Sequence, residues 1–126
     1  MLSQYNPVSQ SSSSARLPAK LSELPGEGLL SSKFRVKISD LDINLHTNNV
    51  KYLNWVNDTY DLNFIMHHLP CSAEINYLAE SKFNEEIVIR TLKEASSNHF
   101  FSHSVLRTSD NKELCRIRLE WKADSI

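Results

Sequence analysis

Residues Glu113 to Lys122 alternate without a break. Cys115, Ile117, Leu119 and Trp121 take one set of positions and Arg116, Arg118, Glu120 and Lys122 the other. Successive side chains of a strand point to opposite faces, so this pattern demands a strand with one face in a core and one in water. The same period appears near the other end, where Phe34, Val36 and Ile38 interleave with Lys33, Arg35 and Lys37. Ala73 to Ser81 follows it, with Ile75, Tyr77 and Ala79 opposed to Asn76, Leu78 and Glu80. Ile87 to Lys93 and His99 to Arg107 are rich in β-forming residues. Turns are expected at Phe83-Asn84-Glu85 and Ser109-Asp110-Asn111-Lys112, with Asn84 and Asn111 at positive φ, because Asn tolerates the left-handed region.

One segment breaks the strand rhythm. Asn48 to Asp58 reads as a helix capped by Asn48, with Val50, Leu53 and Val56/Asn57 on one face. A further turn or two is expected over Asp61 to His67, and Pro70 separates it from the strands that follow. The order is strand, helix, four strands. The economical solution is an α+β fold in which one curled antiparallel sheet wraps one long helix.

Composition narrows the function classes. A chain of 126 residues is about one domain. Its only glycines, Gly26 and Gly28, cannot build a P-loop or a GxGxxG phosphate cradle. A formal net charge of -1 argues against nucleic acid as a partner. No apolar run approaches the roughly 18 residues of a membrane span. Cys71 and Cys115 fit no CxxC pattern, and a reducing compartment is the default. Residues 1–32 contain Ser11 to Ser14, Pro7, Pro18, Pro25 and both glycines. They are expected to form a flexible arm or linker, with the folded domain over 33–126. The arm has no acidic residue before Glu23, as targeting peptides do, but it lacks the arginine density and amphipathic face of a good transit peptide.

The chemistry concentrates between the first strand and the helix. Asp42, Asn44 and His46 follow at intervals of two and would share one side of an extended segment. A carboxylate beside an imidazole is an acid/base group. Asn48 and Asn49 open the helix, whose first N–H groups could polarise a carbonyl or hold an oxyanion. The same residue types also serve plain turn and cap chemistry.

The stretch SDLDINLHTNNVKYLNWV, residues 39–56, resembles the signature of the acyl-ACP thioesterases, approximately SDxDxNxHVNNxxYxxW. INYLAESKFNEEI resembles that family's IxYxxE segment and puts Glu80 at its functional acid. Residues 98–122 resemble its closing strands, ending in Glu120-Trp121, and RLPAKLSELP resembles the link between the family's two halves. The resemblance implies a hotdog fold and hydrolysis of acyl-acyl carrier protein to a free fatty acid, with no metal or organic cofactor. Asp42, Asn44, His46 and Glu80 would form the functional group. Asp42 would attack the thioester, with Glu80 activating water for the acyl-enzyme, or Glu80 or His46 would activate water directly.

Family enzymes carry two hotdog modules, and this chain matches the second. Pairing is therefore expected, as a homodimer or with another hotdog module. A single-module acyl-CoA thioesterase and a non-catalytic acyl-binding remnant are the other readings. Acyl carrier protein is acidic, so the outward Arg35, Lys37, Arg116 and Arg118, with Lys33 and Lys122, are a candidate docking stripe. The expected location is the cytoplasm, or the plastid for a plant protein. Ser81 stands where some relatives have cysteine and is read as structural. His67-His68 is read as a solvated helix end rather than a zinc site. His99 and His103 are read as core or cleft residues, and Trp55 and Trp121 as core.

Overall fold

Five strands form one antiparallel sheet in the order β1-β3-β4-β5-β2. They are β1 (Leu30–Arg35), β2 (His68–Tyr77), β3 (Glu86–Lys93), β4 (Phe100–Arg107) and β5 (Lys112–Ala123). Between β1 and β2 run a 3-10 turn (Ile38–Asp40) and the helices α1 (Asn49–Asn57) and α2 (Leu62–His67). The computed structural model describes residues 21–25, 29–94 and 99–124. Most of the expected flexible arm, with Ser11 to Ser14 and both glycines, lies outside the described residues.

The inward row of β5 organises the core. Ile117 pairs with His103 on β4 and Ile75 on β2, and Leu119 pairs with Phe101 and Ala73. Against this face α1 lays Tyr52, Trp55 and Val56, all buried, and Phe34 of β1 stacks on Trp55 at 6.4 Å. Val56, Ile87, Ile89 and Val105 are wholly buried. Each such side chain contributes about 1.5–3 kcal/mol relative to exposure. The curled sheet around a helix is the α+β arrangement that the element order implied, and the hotdog fold that the resemblance implied.

Several elements depart from expectation, each for a local reason. β1 starts at Leu30, so residues 30–32 belong to the sheet rather than the arm. Leu21 is also tied down: its N–H donates to Asn76 Oδ1 and its carbonyl accepts from Arg116 Nη1, both at 2.7 Å. Ile38, expected in the first strand, is exposed in the 3-10 turn. There the Asp40 carboxylate accepts the Lys37 N–H at 2.8 Å, a local bond that competes with extending the ladder.

The helical region comes in two pieces, as the expected helix and the further turns after Asp61 implied. Asp61 caps α2 by accepting the Phe64 N–H at 2.7 Å, and a new helix starts there instead of α1 continuing. The buried face of α1 is Tyr52, Trp55 and Val56, while Val50 and Asn57 are exposed. The face read as Val50, Leu53 and Val56/Asn57 left out the two aromatics, which bury large rings, Tyr52 with its hydroxyl bonded to Ser81.

β2 begins at His68 and passes through Pro70, with a register shift between Pro70 and Ser72. A proline is tolerated there because β2 is an edge strand. The strand ends at Tyr77, so Glu80 lies in the following loop rather than on a strand face. Asn84 and Asn111 have φ of 67° and 59°, as their turns require. Leu45, at 64°, was not anticipated.

Candidate functional site

Residues 41–47 fold back on themselves. Leu41 bridges Thr47, and the Asp42 N–H donates to the His46 carbonyl at 2.8 Å. The Leu45 N–H donates to the Asp42 carbonyl at 2.9 Å. Asp42 Oδ1 accepts the N–H of Asn44 at 2.9 Å and of His46 at 3.2 Å. The segment is thus a tight turn and not the extended piece on which the shared-face expectation rested. An aspartate carboxylate that can accept from its own following backbone favours the turn over the strand. Asp42 is the hub of the turn, and Asn44 is exposed near its tip.

The turn hands His46 to a second segment. His46 bridges Lys82, and the Thr47 N–H donates to the Ser81 carbonyl at 3.0 Å. His46 Nδ1 therefore lies 3.5 Å from Glu80 Oε1, with side-chain exposures of 40% and 70%. The loop after β2 and the turn before α1 together make an imidazole–carboxylate pair open to solvent. Such a pair can relay a proton to or from a water or a leaving group.

Asn48 caps α1, its side chain accepting the Val50 N–H at 3.1 Å. The cap occupies one of the N–H groups expected to serve an oxyanion. Asn49 is the first residue of α1, and its carbonyl accepts from the Tyr77 hydroxyl at 3.4 Å.

A model of the acyl-ACP thioesterase C-terminal domain matches residues 26–123. The chain belongs to the acyl-ACP thioesterase family. The palmitoyl-acyl carrier protein thioesterase of Gossypium hirsutum, a chloroplastic protein, is 30% identical over 95 residues. That match covers 68% of this chain and 22% of the relative, so the chain spans about a fifth of the length of such relatives. Among solved structures, the 12:0-ACP thioesterase from Umbellularia californica superposes with a TM-score of 0.74 at 25% identity, over 84% of this chain and 40% of that one. An acyl-ACP thioesterase from Bacteroides thetaiotaomicron gives a TM-score of 0.68 at 22% identity, over 92% and 43%.

For an acyl-ACP thioesterase module, the expected docking stripe looks different once folded. Arg116 is bonded to Glu113 at 2.8 Å. Arg118 reaches Glu94 at 2.8 Å and Glu74 at 3.4 Å, and lies 4.0 Å over the Phe100 ring. The Arg118 hydrogen bond holds the Glu94 carboxyl below its ordinary pKa, against the opposing effect of burial. These two arginines are matched by carboxylates, Arg116 by Glu113 on its own strand and Arg118 by Glu74 of β2 and Glu94 just after β3, and do not present the open basic stripe expected. Arg35 is spoken for in part, donating to the Asn84 carbonyl at 2.6 Å, with Glu86 3.7 Å away. Lys37 is exposed.

The other singled-out residues sit as follows. His103 is buried and bonded on both ring nitrogens, Nε2 to the Tyr60 hydroxyl at 2.7 Å and Nδ1 to Thr91 Oγ1 at 2.9 Å. Trp121 Nε1 donates to the same tyrosine oxygen at 3.2 Å. The arrangement in which every proton finds an acceptor has the Tyr60 hydroxyl donating to Nε2 and the neutral imidazole donating from Nδ1 to Thr91. His67 and His68 donate from Nδ1 to the carbonyls of Asn63 and Phe64, both at 2.8 Å, and His68 stacks on Phe64 at 3.9 Å. Cys115 is buried, which pushes its thiol pKa up, and Cys71 is exposed. Two residues that the sequence did not single out for the site are Thr47 and Tyr52, which join the buried Ser81 behind it. The available signal was Thr47 directly after His46 and Ser81 directly after Glu80.

Proposed function

We propose that this chain supplies the acid/base half of an acyl-acyl carrier protein thioesterase, releasing a free fatty acid when paired with another hotdog module. The observation that carries the reading is the approach of His46 Nδ1 to within 3.5 Å of Glu80 Oε1, in the loop that bears the family motif. The pair activates a water for attack on the thioester carbonyl. Asp42 holds the turn, because its Oδ1 already accepts two backbone N–H groups. An oxygen engaged in holding the turn is less free to attack, which favours the direct-water route. Asn44, at the turn's tip, is the candidate for orienting the substrate carbonyl.

Pairing is supported by the edge of β2, which no strand of the described residues covers, and by the exposed Leu69, Tyr77 and Leu78 along and just beyond it. A homodimer or a separate first module would both cover that edge. The compartment is wherever acyl carrier protein works, the cytoplasm or, as for the chloroplastic relatives, the plastid.

The test is fatty acid release from acyl-ACP and from acyl-CoA, by the chain at its measured assembly size, with Asp42→Ala and Glu80→Ala as controls. Faster turnover of acyl-ACP, lost in Glu80→Ala, is expected. Rates equal to those of both controls would end the enzyme reading. A quenched Glu80→Ala sample whose Asp42 peptide carries the acyl mass would replace the direct-water route with the covalent one. Preference for acyl-CoA would transfer the activity to the single-module class.

A further inference from the structure

We infer that Ser81 is a positioning residue for the His46–Glu80 pair, acting through a buried chain of three hydroxyls. The inference rests on the reading that puts His46 and Glu80 in the hydrolytic machinery. Ser81 is wholly buried, with Tyr52 and Thr47 buried on either side of it. Ser81 Oγ donates to Thr47 Oγ1 at 2.6 Å. Its only proton is then used, so the Tyr52 hydroxyl, 2.8 Å away, donates to Ser81. Burial raises the Tyr52 pKa and keeps this donor protonated. The Tyr52 ring is in turn set edge-on against Trp55 of α1, with centroids 5.3 Å apart.

The chain lies one residue behind the functional pair on both segments. Thr47 follows His46 and Ser81 follows Glu80. The two segments are joined there twice, by the hydroxyl bond and by the Thr47 N–H to the Ser81 carbonyl at 3.0 Å. The functional pair itself is exposed, and exposed ion pairs of flexible side chains have little rigidity of their own. Its geometry is therefore set from the buried side. A hydroxyl pair inside a core also costs its desolvation unless both members stay bonded, which holds the two segments in one register.

The experiment uses the whole 126-residue chain, with Ser81→Ala, the shape-preserving Thr47→Val, the hydroxyl-preserving Thr47→Ser, and the double Ser81→Ala/Thr47→Val. The Thr47 amide should exchange about tenfold faster or more in Ser81→Ala and Thr47→Val, and near the wild-type rate in Thr47→Ser. In acyl-ACP hydrolysis, kcat should fall about 10- to 100-fold in the first two with KM held, because misplacement by about 1 Å is enough for that loss. Thr47→Ser should restore kcat, and the double variant should be no slower than the slower single one. Unchanged Thr47 exchange together with unchanged kcat in Ser81→Ala overturns the inference, as does a fall in KM-limited binding with kcat intact. A wild-type chain that hydrolyses nothing, alone or paired, overturns the proposed function instead, and the exchange rates still decide the role of Ser81.

Discussion

His46 Nδ1 stands 3.5 Å from Glu80 Oε1 across two loops outside the named strands, joined by the His46–Lys82 bridge and by the backbone and hydroxyl bonds between Thr47 and Ser81. The imidazole arrives from the turn before α1 and the carboxylate from the loop after β2. If the pair handles the proton, Glu80→Gln and His46→Ala should each lower kcat for acyl-ACP by about 10²–10⁴. Combining them should cost little more than the worse single change, because the two act as one unit. Steady-state fatty acid release measures this, and additive losses would show two independent roles.

Leu45 is a second testable point. Its φ of 64° places a leucine in the left-handed region, while Asn stands at the two other non-glycine positive-φ positions among the described residues. The Leu45 side chain is 69% exposed, so little burial offsets the strain. Leu45→Asn should stabilise the fold by about 1 kcal/mol, read as a higher urea midpoint with unchanged slope. A lower midpoint would mean that the leucine makes packing contacts worth more than its strain.

The buried His103 makes stability depend on acid. Burial pulls its pKa down to about 3, while an unfolded histidine titrates near 6.5. Between those values the unfolded chain holds a proton at this position and the folded chain does not. Stability therefore rises with pH across the window and falls on acidification, by about 1.4 kcal/mol per unit from this residue. The depressed pKa of Glu94 acts with the same sign. His103→Gln should be less stable at neutral pH yet show a flatter limb between about pH 6.5 and 3. Urea midpoints over that range measure it, and an equally steep limb would assign the acid sensitivity to the carboxylates alone.

Arg118 should behave as a structural cation. Its guanidinium satisfies Glu94 and Glu74 and covers Phe100. Arg118→Met should lower stability by about 1 kcal/mol, a value already reduced for its partial exposure. The KM for acyl-ACP at low salt should stay the same. Reversing the exposed Lys37 is the matched comparison. If Arg118→Met raised KM and Lys37→Glu did not, the docking surface would be the outer sheet face after all.

What the sequence supplied of the site was a list of candidates. Asp42, Asn44, His46 and Glu80 could be named from the motif, and Asn84 and Asn111 from turn chemistry. The turn at 42–46 was not legible, because an alternation of polar residues looks the same in a strand as in a loop closed by an aspartate. The arginine row of β5 was read correctly as outward, yet its partners come from β2, from the β4–β5 hairpin and from Glu94 just after β3.

By itself the sequence determined the succession of strands along the chain, the inward row of β5 and the α+β class, because periodicity is a local property that a regular strand carries whole. It also determined the family, through a motif read as a continuous string. The tertiary structure alone decided that His46 meets Glu80, that Ser81 ties Thr47 to Tyr52, and that Arg118 meets Glu74 and Glu94. Those are meetings between segments far apart in the chain. They are set by strand order and register, which no single segment encodes.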